Sequence, residues 1–170
     1  MFMEILKIDK IKQIIKLLFV IIWMIIVFLF SNQSGEKSTG TSMGFTNKII
    51  TIFVSKTNLK FEEKIELIKR LEPIARKLAH YTLYTLGGIL IINFVDTYDI
   101  NKKRKIKISI IIGFIYASID EIHQYFIEGR SASAFDVGID TLGVVTGVCT
   151  FLFFIKYFNL KKMMKVTIHS

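Results

Sequence analysis

From Ile14 to Phe30 the chain reads IIKLLFVIIWMIIVFLF, an apolar run interrupted by one charge, and no other feature constrains the fold as strongly. About 20 helical residues cross a hydrocarbon core of about 30 Å, and only helices or closed barrels satisfy their own backbone there. Three further apolar runs follow, at about Leu78 to Val95, Ile106 to Phe126 and Phe135 to Phe158. Composition agrees, with 52% hydrophobic residues, 13% aromatic residues, one proline and a mean hydropathy of +0.49 over 170 residues. The pattern predicts an all-α, polytopic membrane helix bundle of about four transmembrane helices. It also predicts one domain over residues 1–170, with an outer loop over residues 31–77.

The formal charge of +9 sits at the ends of these runs. Nucleic-acid binders interleave basic and aromatic residues on a polar surface, so the pattern excludes nucleic acid as a partner. Lys7, Lys10 and Lys12 precede the first run and Lys16 lies at its start, and no small-residue cleavage site follows it at Leu29-Phe30-Ser31-Asn32, so this segment reads as an uncleaved anchor. Lys102, Lys103, Arg104, Lys105 and Lys107 lie in the link between the second and third runs or at the start of the third, and Lys156, Lys161, Lys162 and Lys165 lie at the end of the fourth or beyond it. With four spans these three segments share one side, which predicts cytoplasmic termini. Cys149 lies inside an apolar run with no second cysteine, and reads as a packing residue.

The long first link is patterned. Phe45, Ile49, Ile52 and Phe53 recur at helical spacing, as do Leu67, Leu71, Ile74 and Leu78, with Lys and Glu between them. Two amphipathic helices are predicted there, lying on the outer membrane surface or capping the bundle. Gly87-Gly88, Gly113 with Ala117, and Gly143 with Gly147 supply small residues for close helix approach on spans two, three and four.

Polar residues cluster where the spans meet the outer side. Ser31 and Gln33 follow span one, Arg76 and His80 open span two, Asp120, Glu121, His123 and Gln124 close span three, and Asp136 begins span four. Asp140 lies one turn beyond Asp136, and Tyr84 one turn beyond His80. At 1.5 Å per residue, Asp120 stands about 21 Å from Ile106, in the outer third of a bilayer. Ionisable groups at such depth are costly and are retained facing a protein interior or a watery cavity. The convergence predicts an outward-facing polar pocket.

The roles within that pocket stay open at this point. Asp120 and Glu121 are adjacent on a helix, so their side chains diverge by about 100°. Either can contact a ligand or form a buried ion pair with Arg130 or Arg76. His80 is a general base or a hydrogen-bonded packing residue. Arg130, after Gly129, is placed for bidentate capture of a carboxylate or phosphate, or to tether the turn to Asp136. Asp136 also suits the positive end of a helix dipole. His80, Asp120, Glu121, Asp136 and Asp140 carry metal-donor atoms but no HExxH-like spacing, so neither a metal nor a cofactor is expected. No serine lies in a GxSxG elbow.

Several of these segments carry a resemblance. Arg76-Lys77-Leu78-Ala79-His80-Tyr81 with Tyr84 and Leu86-Gly87, then Asp120-Glu121-x-His123-Gln124, Gly129-Arg130 with Asp136-Val137, and Asp140-x-x-Gly143 resemble the VanZ-like family of small bacterial membrane proteins. Trp23 and Ser31-Asn32-Gln33-Ser34-Gly35 fit as well. The chain differs at Leu83, where relatives commonly carry an acid, at Glu128, where Pro is common, and at Asp140, which is often Asn. The resemblance implies a multi-span protein of the bacterial cell membrane whose founding member confers resistance to the lipoglycopeptide teicoplanin. It does not imply an enzyme.

Two function classes follow. One is a protein that binds or shields an amphiphile, such as a lipoglycopeptide or a cell-wall lipid precursor, beside membrane lipid. The other is an integral-membrane enzyme acting on a lipid phosphate or lipid-linked sugar, with Arg130 and Arg76 holding an anionic group and Asp120, Glu121 or His80 moving a proton.

Overall fold

The computed structural model describes residues 2–34, 40, 44 and 61–168. The predicted amphipathic segment around Phe45 to Phe53 lies outside them. Among the described residues four long helices stand out: α1 (Phe2–Ser31), α2 (Phe61–Val95), α3 (Lys102–Tyr125) and α4 (Ala134–Ile168). The protein is an all-α membrane helix bundle.

The second amphipathic segment proves not to be a separate helix. Leu67, Leu71, Ile74 and Leu78 lie in α2, which runs unbroken from Phe61 into the apolar stretch ending at Val95. Glu62 and Glu63 occupy its first turn, where carboxylates suit the helix dipole. Pro73 removes one rung of the hydrogen-bond ladder but is exposed, so solvent can serve the carbonyl left over. Continuity matters for the site, because it carries Glu72, Arg76, Lys77, His80 and Tyr84 on one rigid element.

Among the described residues three helices have stretches long and apolar enough to cross a membrane: Ile8–Ser31, Glu62–Val95 and Ala134–Asn159. The helix expected as the third span, α3, does not reach that standard, and its residue distribution explains why. Its buried face carries Ser109, Gly113, Ala117, Asp120, Glu121 and Gln124. Its exposed face carries Ile108, Ile111, Phe114, Ile115, Ile119 and Ile122. Polar groups point inward and large apolar groups outward, the reverse of a soluble amphipathic helix. Averaged along the chain, the two faces cancel.

The other helices follow the same rule. Ile14, Phe19, Ile22, Ile25 and Leu29 of α1 and Leu142, Phe153 and Phe154 of α4 are exposed, as lipid-facing positions require. Cys149 is exposed too, on the outer surface of α4, so it does not pack in the core as expected.

Helices α2 and α4 approach most closely, and glycines allow it. A Cβ on Gly147 would run into the Thr85 carbonyl and would lie 2.9 Å from the Ile89 nitrogen. One on Gly88 would lie 2.9 Å from the Val144 carbonyl carbon. Only glycine permits this spacing. Val144 itself is fully buried and fills the space left by Gly113 of α3. Helix α1 is fixed by Trp23, whose indole N–H donates to the Leu83 carbonyl at 2.8 Å. The Trp23 ring meets Tyr84 edge-on at 5.6 Å and Tyr116 at 5.1 Å. Tyr116 in turn donates to the Met24 carbonyl at 2.5 Å. At the other end, Lys16 donates to the Asn93 carbonyl and Lys105 pairs with Asp96 at 2.8 Å.

Candidate functional site

Where α2, α3 and α4 meet beneath the turn between α3 and α4, a cavity of about 150 Å³ opens. Arg76, Lys77 and His80 line it from α2, Glu121 and Gln124 from α3, Gly129, Arg130 and Ser131 from the turn, and Asp136, Ile139 and Asp140 from α4. Two sequence-distant segments, residues 76–80 and 121–140, are thus brought to one place. Gly129 makes the turn possible, since its φ of 74° lies in the left-handed region that residues with a Cβ rarely occupy.

The floor is a buried polar network. Tyr84, with no exposed surface, donates to Asp120 Oδ2 at 3.1 Å, and the Gln124 amide approaches the same oxygen at 3.3 Å. Gln124 also reaches Ser31 Oγ at 3.3 Å, which ties the end of α1 to α3. His80 Nδ1 lies 3.5 Å from Asp140 Oδ2, and Asp140 is 1% exposed. That oxygen makes no close hydrogen bond. Donor atoms of His80, Asp120 and Asp140 all lie within 4.8 Å of one another.

The rim is ionic. Lys77 pairs with Asp136 and stands over the Phe135 ring at 4.9 Å. Arg76 approaches the buried Glu72 at 3.7 Å along its own helix. Glu121 accepts a 2.7 Å hydrogen bond from the Ser133 backbone N–H, so this carboxylate fixes the α3–α4 turn. Burial pushes the Arg130 guanidinium below its ordinary pKa and nearby Arg76 adds to the effect, while Asp120 and Glu121 oppose it. An arginine so placed stays cationic, and its fork of donors suits an anion.

Each expected site residue has a definite place. His80, Glu121, Gln124, Arg130, Asp136, Asp140 and Arg76 line the cavity, Asp120 and Tyr84 support its floor, and Ser31 is buried at its edge through Gln124. Gln33 is not among the lining residues; its backbone N–H caps the Phe30 carbonyl just beyond α1. His123 stacks on Phe28 at 4.8 Å and belongs to the α1–α3 contact. Asp136 combines two roles, lying in the first turn of α4 and pairing with Lys77.

Lys77, Gly129, Ser131 and Ile139 of the lining, and Ser133 beside it, were not among the expected site residues. Lys77 stands three residues from His80, and Arg76 four, so all three share a helix face, a spacing that marks Lys77 as a lining residue. Ser133 acts through its backbone N–H, for which side-chain chemistry gives no signal.

A protein-family model described as VanZ/LLP1 matches residues 16–156. No curated protein and no solved structure matches the chain.

Proposed function

The chain belongs to the VanZ/LLP1 family, and on that premise we propose that it is a multi-pass protein of the bacterial cell membrane that contributes to resistance to lipoglycopeptides such as teicoplanin. It does so by holding the polar head of a cell-envelope amphiphile in the cavity between α2, α3 and α4. The carrying observation is the cavity itself, a charged recess with Arg76, Lys77 and Arg130 in its lining, set in a bundle whose outer faces are apolar. Ligand recesses of this kind use a few placed polar groups for orientation. A volume of about 150 Å³ holds several waters or one small anionic head group, and excludes a whole lipoglycopeptide. The acyl tail would lie against exposed apolar residues such as Ile122, Tyr125 and Phe135.

The orientation that fits is the one with the cavity facing outward and both termini cytoplasmic, in which α3 also crosses, as the third of four spans, with its isoleucine face toward lipid. The test is complementation of a deletion strain with wild type, Arg130→Gln and Glu121→Gln at matched membrane levels. Wild type is expected to raise the teicoplanin concentration tolerated, and Arg130→Gln to lose that gain. Equal tolerance with the empty vector and the wild type would overturn the reading. If Glu121→Gln loses the phenotype while the purified protein still retains its lipid, the enzymatic alternative takes its place.

A further inference from the structure

We infer that His80, Asp120 and Asp140 form a binding site for one divalent transition-metal ion of the zinc type. The inference goes beyond the head-group reading and does not depend on it, since an ion at the cavity floor can be measured whatever occupies the cavity above.

The first argument is geometric. One donor comes from each of α2, α3 and α4, and all lie within 4.8 Å of one another. Ligands about 2.1 Å from a tetrahedral zinc stand about 3.4 Å apart. The His80 Nδ1 to Asp140 Oδ2 separation is 3.5 Å. The longest separation needs to close by at most about 1.4 Å, within the reach of side-chain rotation.

The second argument is the state of Asp140. It is 1% exposed, and its Oδ2 makes no close hydrogen bond, meeting His80 Nδ1 only at 3.5 Å. A buried carboxylate oxygen held only at ion-pair distance is incompletely satisfied, which a bound cation resolves.

The third is charge balance. Asp120 and Asp140 are 3% and 1% exposed, and two buried carboxylates at this range repel. Of the nearby cations, Lys77 is paired with Asp136 and Arg76 approaches Glu72. A divalent ion held between them relieves that repulsion between Asp120 and Asp140.

The donor set selects the metal class. Two carboxylates and an imidazole suit zinc and its neighbours, whereas magnesium and calcium prefer oxygen alone and more ligands. Three protein ligands leave a position open, and His80 and Asp140 both border the cavity, which provides the entry path. Tyr84 and Gln124, both bonded to Asp120 Oδ2, hold that ligand from behind as outer partners of metal sites do.

The test uses full-length protein in detergent, stripped with a chelator and titrated with Zn²⁺ or Co²⁺ in metal buffers. Wild type is expected to bind one ion per chain and to gain thermal stability on loading. Asp140→Asn should weaken binding by about a hundredfold, and Tyr84→Phe by about 10- to 100-fold. Asp96→Asn, at the opposite end of the bundle, should keep full stoichiometry. If Asp140→Asn fails to fold, His80→Cys carries the test: Co²⁺ bound there should show a thiolate-to-cobalt charge-transfer band that wild type lacks. Less than one Zn²⁺ per ten folded wild-type chains at saturating metal, binding of Mg²⁺ or Ca²⁺ alone, or a folded His80→Cys protein without that band would overturn the inference. None of these results bears on the teicoplanin phenotype, so this site and the head-group reading fail separately.

Discussion

Tyr84 Oη donates a 3.1 Å hydrogen bond to Asp120 Oδ2, and this contact joins α2 to α3 where neither residue meets solvent. A donor to a buried charged acceptor contributes more than an ordinary hydrogen bond, about 1.5 to 3 kcal/mol. Tyr84→Phe keeps the ring against Trp23 and removes only the hydroxyl. Its thermal unfolding in detergent should show a loss of about that size, and an unchanged midpoint would show that the contact adds nothing to stability.

Close approach of α2 and α4 gives a second prediction. Gly143→Leu would drive a side chain into the Tyr81 carbonyl, 2.6 Å from where its Cβ would lie, and Gly147→Leu would strike Thr85. Backbone cannot yield as a flexible side chain does, so overpacking of more than about 3 kcal/mol is expected at either position. Yield of monodisperse protein after detergent extraction is the measurement. Normal yield and midpoint in both variants would contradict the packing described.

The turn between α3 and α4 gives a third. Gly129→Ala forces a Cβ into a left-handed backbone at φ 74°, which costs about 1 to 2 kcal/mol. Glu121→Gln keeps the length of the group that accepts from Ser133 but removes its charge. Both variants should leave the bundle folded while increasing protease cleavage in the turn at residues 126–133. Cleavage at the wild-type rate in both would show that neither residue holds the turn.

Topology gives a fourth. Tags at Met1 and Ser170 should be protected from protease added to the outer face of intact cells, and a tag inserted between Thr39 and Lys60 should be cleaved. Cleavage of the Met1 and Ser170 tags with protection of the loop tag would place the cavity on the inner side, and cleavage at Ser170 with Met1 still protected would remove α3 from the membrane; in either case the head-group reading would fail.

The last prediction separates a site from a scaffold. Alanine at Arg130 and Asp120 should lower the amount of folded protein, because removing one member of a buried charged set costs about 3 to 5 kcal/mol. Alanine at His80, Glu121 and Gln124 should reduce the resistance phenotype more than the protein level. Immunoblots beside susceptibility tests distinguish the two, and a loss of phenotype that tracks protein level at all five positions would assign the cluster to structure alone.

The sequence by itself determined the helices and the identity of most of the polar groups. Apolar runs of near span length leave few other outcomes, so α1, α2, α3 and α4 were legible, though their ends were not. Extensions such as Phe61 to Lys77 of α2 are amphipathic, and periodicity cannot tell a separate surface helix from the continuation of a span. The clustering of His80, Asp120, Asp136 and Asp140 near one level followed from counting residues along straight rods. Only the tertiary structure decided which of them meet. Rotation of each helix about its axis places Asp140 against His80 and Asp136 against Lys77, turns Glu121 toward the Ser133 backbone, and sends His123 to Phe28. That rotation is fixed by contacts between segments far apart in the chain, glycine against backbone at Gly88 and Gly147 and Trp23 against Leu83 and Tyr84. A one-dimensional pattern records the period of such contacts but carries no information on their partners.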